Sequence, residues 1–159
     1  MLKKQMLIVD DNDSLRAALQ AVFEDDFELE FAATGEEALM KYHRNVPQVV
    51  LMDYKMPGID GMETLQRMQG EAKKSPVVLM SAYDEKPVVN QALAHGATDF
   101  VGKPFNVWDI RAAIERAVEN RKGEVEPAFA TAKTRKVKTN QLNPFRMYGH
   151  AGNMGTVKP

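Results

Sequence analysis

Met6-Leu7-Ile8-Val9-Asp10-Asp11-Asn12 is the stretch whose reading decides the fold. Four consecutive apolar residues that stop abruptly at three polar ones fit a strand covered on both faces, as in a parallel sheet. Leu15, Ala18, Leu19, Val22 and Phe23 follow at the spacing of one helix face. Asp13 is the expected N-cap of that helix. Working outward, the same strand-then-helix unit recurs. Glu28 to Ala33 reads as the second strand, and Thr34-Gly35-Glu36-Glu37 has capping-box spacing before a helix through Ala38, Leu39 and Tyr42. Val49-Val50-Leu51-Met52 runs into Asp53 as the third strand, and Asp60-Gly61-Met62-Glu63 opens a helix bearing Met62, Leu65 and Met68. Pro76 to Met80 is the fourth strand, ending at Ser81-Ala82, followed by a helix near Pro87 to Ala94 with Gly96 as C-cap. Asp99-Phe100-Val101 is a short fifth strand leading to Lys103-Pro104, and Asn106 caps a last helix carrying Val107, Ile110, Ile114 and Val118.

Five such units with right-handed crossovers predict an α/β fold. The expected form is a flavodoxin-like (βα)5 doubly wound parallel sheet of strand order 2-1-3-4-5, with a C-terminal extension. Composition agrees with one domain and a tail: 159 residues, 44% hydrophobic and 27% charged. Charge divides the chain. Residues 1–122 carry 15 Lys/Arg against 20 Asp/Glu, a net of −5, whereas residues 123–159 carry a net of +4. Apolar periodicity fades past Gly123, and proline and glycine interrupt the remainder. Residues 1–122 are therefore expected to form the domain, and residues 123–159 a basic, extended arm or linker. Four basic residues between Thr131 and Thr139 leave contact with nucleic acid, with an acidic partner or with the chain's own acidic domain open. Nucleic acid is not expected to bind the domain itself.

Cysteine is absent, which removes disulfide scaffolds, thiolate metal sites and cysteine nucleophiles together. No apolar run approaches the ~18 residues of a membrane span. The N-terminus leads at once into a strand without a separate apolar region or cleavage site, so a cytoplasmic location is the default expectation.

In the proposed sheet, the C-terminal strand ends deliver Asp10 and Asp11, Asp53, Ser81 and Lys103 to one cleft. Three carboxylates that close repel one another and call for a cation. All-oxygen donors with free water positions suit Mg²⁺ or Mn²⁺. A carboxylate beside such a metal can accept a phosphoryl group. The Lys103 ammonium, the Ser81 hydroxyl and backbone N–H groups are placed to neutralise charge on its oxygens.

At these residues the sequence resembles the receiver domains of two-component response regulators. The motifs that carry the resemblance are Ile8-Val9-Asp10-Asp11, Leu51 to Gly61 around Asp53, Leu79-Met80-Ser81-Ala82-Tyr83 and Phe100-Val101-Gly102-Lys103-Pro104-Phe105. The match is collinear over about residues 5–121. It implies that Asp53 accepts a phosphoryl group from a sensor histidine kinase or a histidine phosphotransfer protein. It implies further that Asp10, Asp11, Asp53 and the backbone carbonyl of Lys55 hold Mg²⁺, and that Ser81 and Lys103 contact the phosphoryl oxygens. Phe100 takes the aromatic switch position, coupled to Ser81. The face formed by the fourth helix, fifth strand and fifth helix then changes its contacts, including contacts with a second copy of the chain. Such a domain is not an enzyme beyond catalysing its own phosphorylation and dephosphorylation. Lys55 and Tyr83 resemble the corresponding residues of nitrogen-regulation receivers and sporulation-phosphorelay intermediates, and are expected to tune dephosphorylation. The competing expectation is an N-terminal receiver fragment of a larger transcriptional regulator or effector enzyme.

Overall fold

The computed structural model describes residues 3–82 and 86–120. Tyr83 and the expected arm at 123–159 lie outside the described residues. Strands β1 (Lys4–Val9), β2 (Phe27–Ala32), β3 (Val49–Asp53), β4 (Val77–Ala82) and β5 (Asp99–Lys103) alternate with helices. These are α1 (Asp13–Phe23), α2 (Gly35–Arg44), α3 (Gly61–Gln69), α4 (Lys86–Ala94) and α5 (Val107–Asn120). The strands form one parallel sheet of order β2-β1-β3-β4-β5, as the sequence predicts. Element ends differ from expectation by a residue or two. β1 begins two residues early, at Lys4, and β5 extends through Lys103 because Ser81 and Ala82 pair with Gly102 and Lys103.

The unbroken apolar runs are explained by the two faces of the sheet. Successive residues of a strand point to opposite sides. Leu7, Val9, Val50, Met52, Val77 and Leu79 pack in one core with Ala38, Tyr42, Leu65, Met68 and Ala92 from α2, α3 and α4. Met6, Ile8, Val49, Leu51, Val78 and Met80 pack in the other with Leu19, Phe23, Ile110 and Ile114 from α1 and α5. A polar residue anywhere in these runs would face one apolar core or the other.

Helix starts are set by side-chain caps, with one correction. Asn12, not Asp13, caps α1: its side chain accepts the Leu15 N–H at 3.0 Å. Asn12 can do so because its own N–H donates to Asp10 Oδ1 at 2.8 Å, a turn that starts the helix one residue early. Asp13 becomes a first-turn acid paired with Arg16. Thr34, Asp60 and Asn106 cap α2, α3 and α5 through the N–H groups of Glu37, Glu63 and Asp109. At Thr34 the box is offset, since the Glu37 carboxylate returns to the Ala33 N–H. Gly96 has a φ of +98°, a backbone state that favours glycine at a helix end.

Gly61 is where the fold and the site meet. Its N–H donates to Tyr54 O at 2.8 Å, which draws the start of α3 onto the end of β3. A Cβ on Gly61 would lie 2.5 Å from Asp53 O and 2.9 Å from Tyr54 Cα, both backbone atoms with little freedom to yield. Gly61→Ala is expected to cost about 1–3 kcal/mol in urea unfolding, as overpacking does. Gly70→Ala, where the nearest atom is Arg67 O at 3.3 Å, should change stability by less than about 1 kcal/mol.

Candidate functional site

The strand ends converge as the sequence implies. Asp10 follows β1 and is 1% exposed; its N–H bonds Ala32 O at 3.1 Å, so it continues the sheet edge. Asp53 closes β3 at 6% exposure, and Tyr54 N–H bonds Met80 O at 2.8 Å, locking β3 to β4 beside it. Asp11 is exposed next to them. One oxygen from each of Asp10, Asp11 and Asp53 lies within 4.8 Å of the others, the geometry of a hard-cation donor set. Lys103, at the end of β5, reaches across: Nζ lies 2.8 Å from Asp53 Oδ1 and 3.4 Å from Asp10 Oδ2.

Ser81 is buried within β4, one residue past the Met80 that pairs with Asp53. Phe100, in β5, is half-buried against the core on the α2, α3 and α4 side. Lys55 is exposed, two residues past Asp53 on the loop into α3. Arg16 belongs to the site's frame although its role was not legible in the sequence. Its Nη1 donates to the Asp10 carbonyl oxygen at 2.6 Å, and its other arm pairs with Asp13. The available signal was a basic residue on the first turn after an acidic strand end, which by itself reads as an ordinary helix pair. A groove of about 530 Å³ lined by Phe23, Phe27, Arg111 and Val118 lies away from these residues, near Lys4, where β1 and β2 begin.

Burial pushes the Asp53 carboxyl above its ordinary value. The neighbouring Asp10 and Asp11 charges push the same way, against the Lys103 hydrogen bond and charge. Burial alone would depress the Lys103 ammonium, but its contacts with Asp53 and Asp10 outweigh that and raise it. The two directions agree physically: negative charge around the pair stabilises the proton on both Asp53 and Lys103.

Residues 6–115 match the response regulator receiver domain family. This chain belongs to that family. The receiver is 39% identical over 116 residues to the regulatory protein AtoC of Escherichia coli K12, covering 72% of this chain and 25% of that one. It is 35% identical over 117 residues to the sporulation initiation phosphotransferase F of Bacillus subtilis, covering 73% of this chain and 94% of the relative. The chemotaxis response regulator CheY4 of Vibrio cholerae superposes with a TM-score of 0.66 at 30% identity, over 72% of this chain and 98% of that one. The receiver thus matches nearly whole single-domain proteins as well as one quarter of a longer regulator. Among the described residues no helix is long and apolar enough to cross a membrane.

The raised Asp53 carboxyl has a signed consequence for stability. An acid whose folded value is raised binds more protons folded than unfolded, so stability falls as pH rises from its ordinary 3.8 through the folded value. At pH 7, in the absence of divalent cation, Asp53→Asn should therefore be more stable than the parent by on the order of 1 kcal/mol in urea unfolding. The advantage should disappear at acid pH below 3.8, where the parent carboxyl is neutral in both states.

Proposed function

We propose that this receiver is the phosphoacceptor of a two-component pathway and that Asp53 is its acceptor. The observation that supports this most is the Lys103 contact. A lysine from the end of β5 bridges the buried carboxylates of Asp53 and Asp10 at the edge where all five strands end. In the transfer, a carboxylate oxygen of Asp53 bonds to phosphorus as the phosphorus–nitrogen bond of a donor phosphohistidine breaks. The electron pair stays on the imidazole nitrogen, and Asp53 carries the acyl phosphate. The Lys103 ammonium already faces Asp53 Oδ1 and pairs with phosphoryl oxygens as charge moves onto them. Ser81 contributes its hydroxyl to the same oxygens. Phe100 couples that change to the face of α4, β5 and α5, where partners or a second copy of the chain bind.

The oxygen donors of Asp10, Asp11 and Asp53, with the carbonyl of Lys55, suit Mg²⁺ or Mn²⁺. When bound, a divalent cation supplies positive charge to the phosphoryl oxygens and relieves the repulsion among the carboxylates. The donor is a sensor histidine kinase or a histidine phosphotransfer protein. The chain acts in the cytoplasm as a signalling domain, catalysing only its own phosphorylation and dephosphorylation. Residues 1–122 form that domain, and residues 123–159 a basic linker or arm. A second reading, the receiver of a larger transcriptional regulator or effector enzyme, draws support from the relative of which the chain spans 25%. The length of the natural open reading frame separates the two.

Incubation with a small phosphodonor and Mg²⁺ is expected to add one phosphoryl group, read by intact mass. Asp53→Asn should take none; an adduct of equal yield in that variant would reject the assignment.

Lys55 and Tyr83 lie two residues past Asp53 and Ser81, respectively, and neither offers the carboxylate or amide that orients an attacking water. The acyl phosphate is accordingly expected to be long-lived. Decay should accelerate in Lys55→Asn and Tyr83→Glu; fast decay in the parent, unchanged by either substitution, would reject shielding by these residues.

A further inference from the structure

The first turn of α2 reaches across to the loop that follows β3. Glu36, exposed at the second position of α2, accepts the Ile59 N–H on Oε1 at 3.2 Å. Its carboxyl is held below the ordinary carboxylate value by its own backbone N–H and that of Ile59, with the Thr34 hydroxyl and the Arg67 charge adding to the effect. Thr34 already caps α2 through the Glu37 N–H, so the Glu36 side chain is not needed as the helix cap. Gly58 lies under the carboxylate with a φ of +78°, and a Cβ there would stand 2.7 Å from Glu36 Oε1. Gly35 is buried, and a Cβ on it would stand 2.6 Å from Ile59 Cγ1. Glycine at position 35 lets α2 come this close to Ile59, and the positive φ at Gly58 favours glycine in the loop itself.

From Ile59 the contacts run on to the acceptor. The Thr64 hydroxyl donates to Asp60 O at 2.7 Å, and Asp60 caps α3 through the Glu63 N–H at 2.9 Å. Gly61 N–H then closes onto Tyr54 O at 2.8 Å, immediately past Asp53. The loop of residues 54–60 is thus tied at its α3 end twice, by Gly61 and, two residues earlier, by Glu36 on Ile59. Lys55 lies between Asp53 and the Glu36 contact.

We infer that Glu36 is a positioning residue for the Asp53 site, bracing the loop after β3 from outside the carboxylate cluster. The inference rests on Asp53 being the phosphoacceptor. A hydrogen bond from an amide to an ionised carboxylate is stronger than a neutral one, and a fixed loop keeps the groups around Asp53 in transfer geometry. Glu36 touches neither the acceptor carboxylate nor its ammonium partner in any recorded contact, so its effect passes through the Ile59 backbone.

The test compares Glu36→Ala, which removes the acceptor atom, with Glu36→Gln, which keeps an oxygen for the Ile59 N–H and loses the charge. Phosphoryl acquisition from a small phosphodonor in Mg²⁺ is timed by intact mass. Thermal midpoints and the amide NMR shifts of Tyr54 and Ile59 are recorded on the unphosphorylated proteins. Glu36→Ala is expected to slow acquisition by about fivefold, and Glu36→Gln to stay within about twofold of the parent, as a geometric brace requires. Midpoints should be alike in all three proteins, and the Tyr54 amide should shift in Glu36→Ala. Equal rates in Glu36→Ala and the parent would overturn the inference, as would equal slowing in both variants or slowing that merely tracks a lowered midpoint. A parent that takes no phosphoryl group on Asp53 would overturn the acceptor reading itself, a result seen in the parent and not in the variants.

Discussion

Lys103 bridging Asp53 and Asp10 is the interaction on which the edge of this molecule depends. Three carboxylates meet there, two of them buried, and the ammonium at 2.8 Å and 3.4 Å is the cation recorded against the buried pair. Desolvation favours the neutral form of the Asp53 carboxyl, and the ammonium opposes it. Burial first, and then the Asp10 and Asp11 charges, hold Asp53 above its ordinary value against this one ammonium. An edge left with excess negative charge gains from any added positive centre. That is the electrostatic condition for holding a divalent cation and, with it, an anionic group.

The sheet makes this concentration of charge tolerable. Five parallel strands, the central β1, β3 and β4 apolar on both faces, lock together through registers that align Val9 with Met52 and Asp53 with Met80. Side chains inside such a core have little freedom, so the residues just past it are delivered to fixed places. Functional groups at the strand ends thereby inherit rigidity from the core while remaining next to solvent. The connecting segments supply the fine adjustment. Asn12 turns back on Asp10, Arg16 holds the Asp10 carbonyl, and Gly61 lets α3 sit directly on the end of β3. Each of these contacts uses backbone, and of the acidic side chains they engage only Asp10, through the Asn12 N–H.

The family match and the geometry bear on different questions. The match assigns the chain to the receivers, and its relatives include both a protein it matches almost end to end and a longer regulator. The geometry concerns what this chain's own residues present at the strand ends. Asp53 has the lysine at its shorter distance and a strand on either side of it, whereas Asp10 is turned into the Asn12 loop and Asp11 is exposed.

The fold was legible in the sequence because its signals are local. An apolar run such as Val49 to Met52 declares a strand covered on two faces, and the spacing of Leu15, Leu19, Val22 and Phe23 declares a helix, with no knowledge of what packs against either. Strand order followed from chain connectivity, and with it the convergence of Asp10, Asp11, Asp53 and Lys103. What the sequence could not rank were contacts between residues far apart in the chain or competing within one turn. Asn12 and Asp13 are both good caps, and only the turn onto Asp10 selects Asn12. Arg16 on the Asp10 carbonyl and Glu36 on the Ile59 N–H look in sequence like ordinary solvated helix charges. Their meaning is set by where another segment's backbone comes to lie, and that position exists only once the two cores have closed around the sheet.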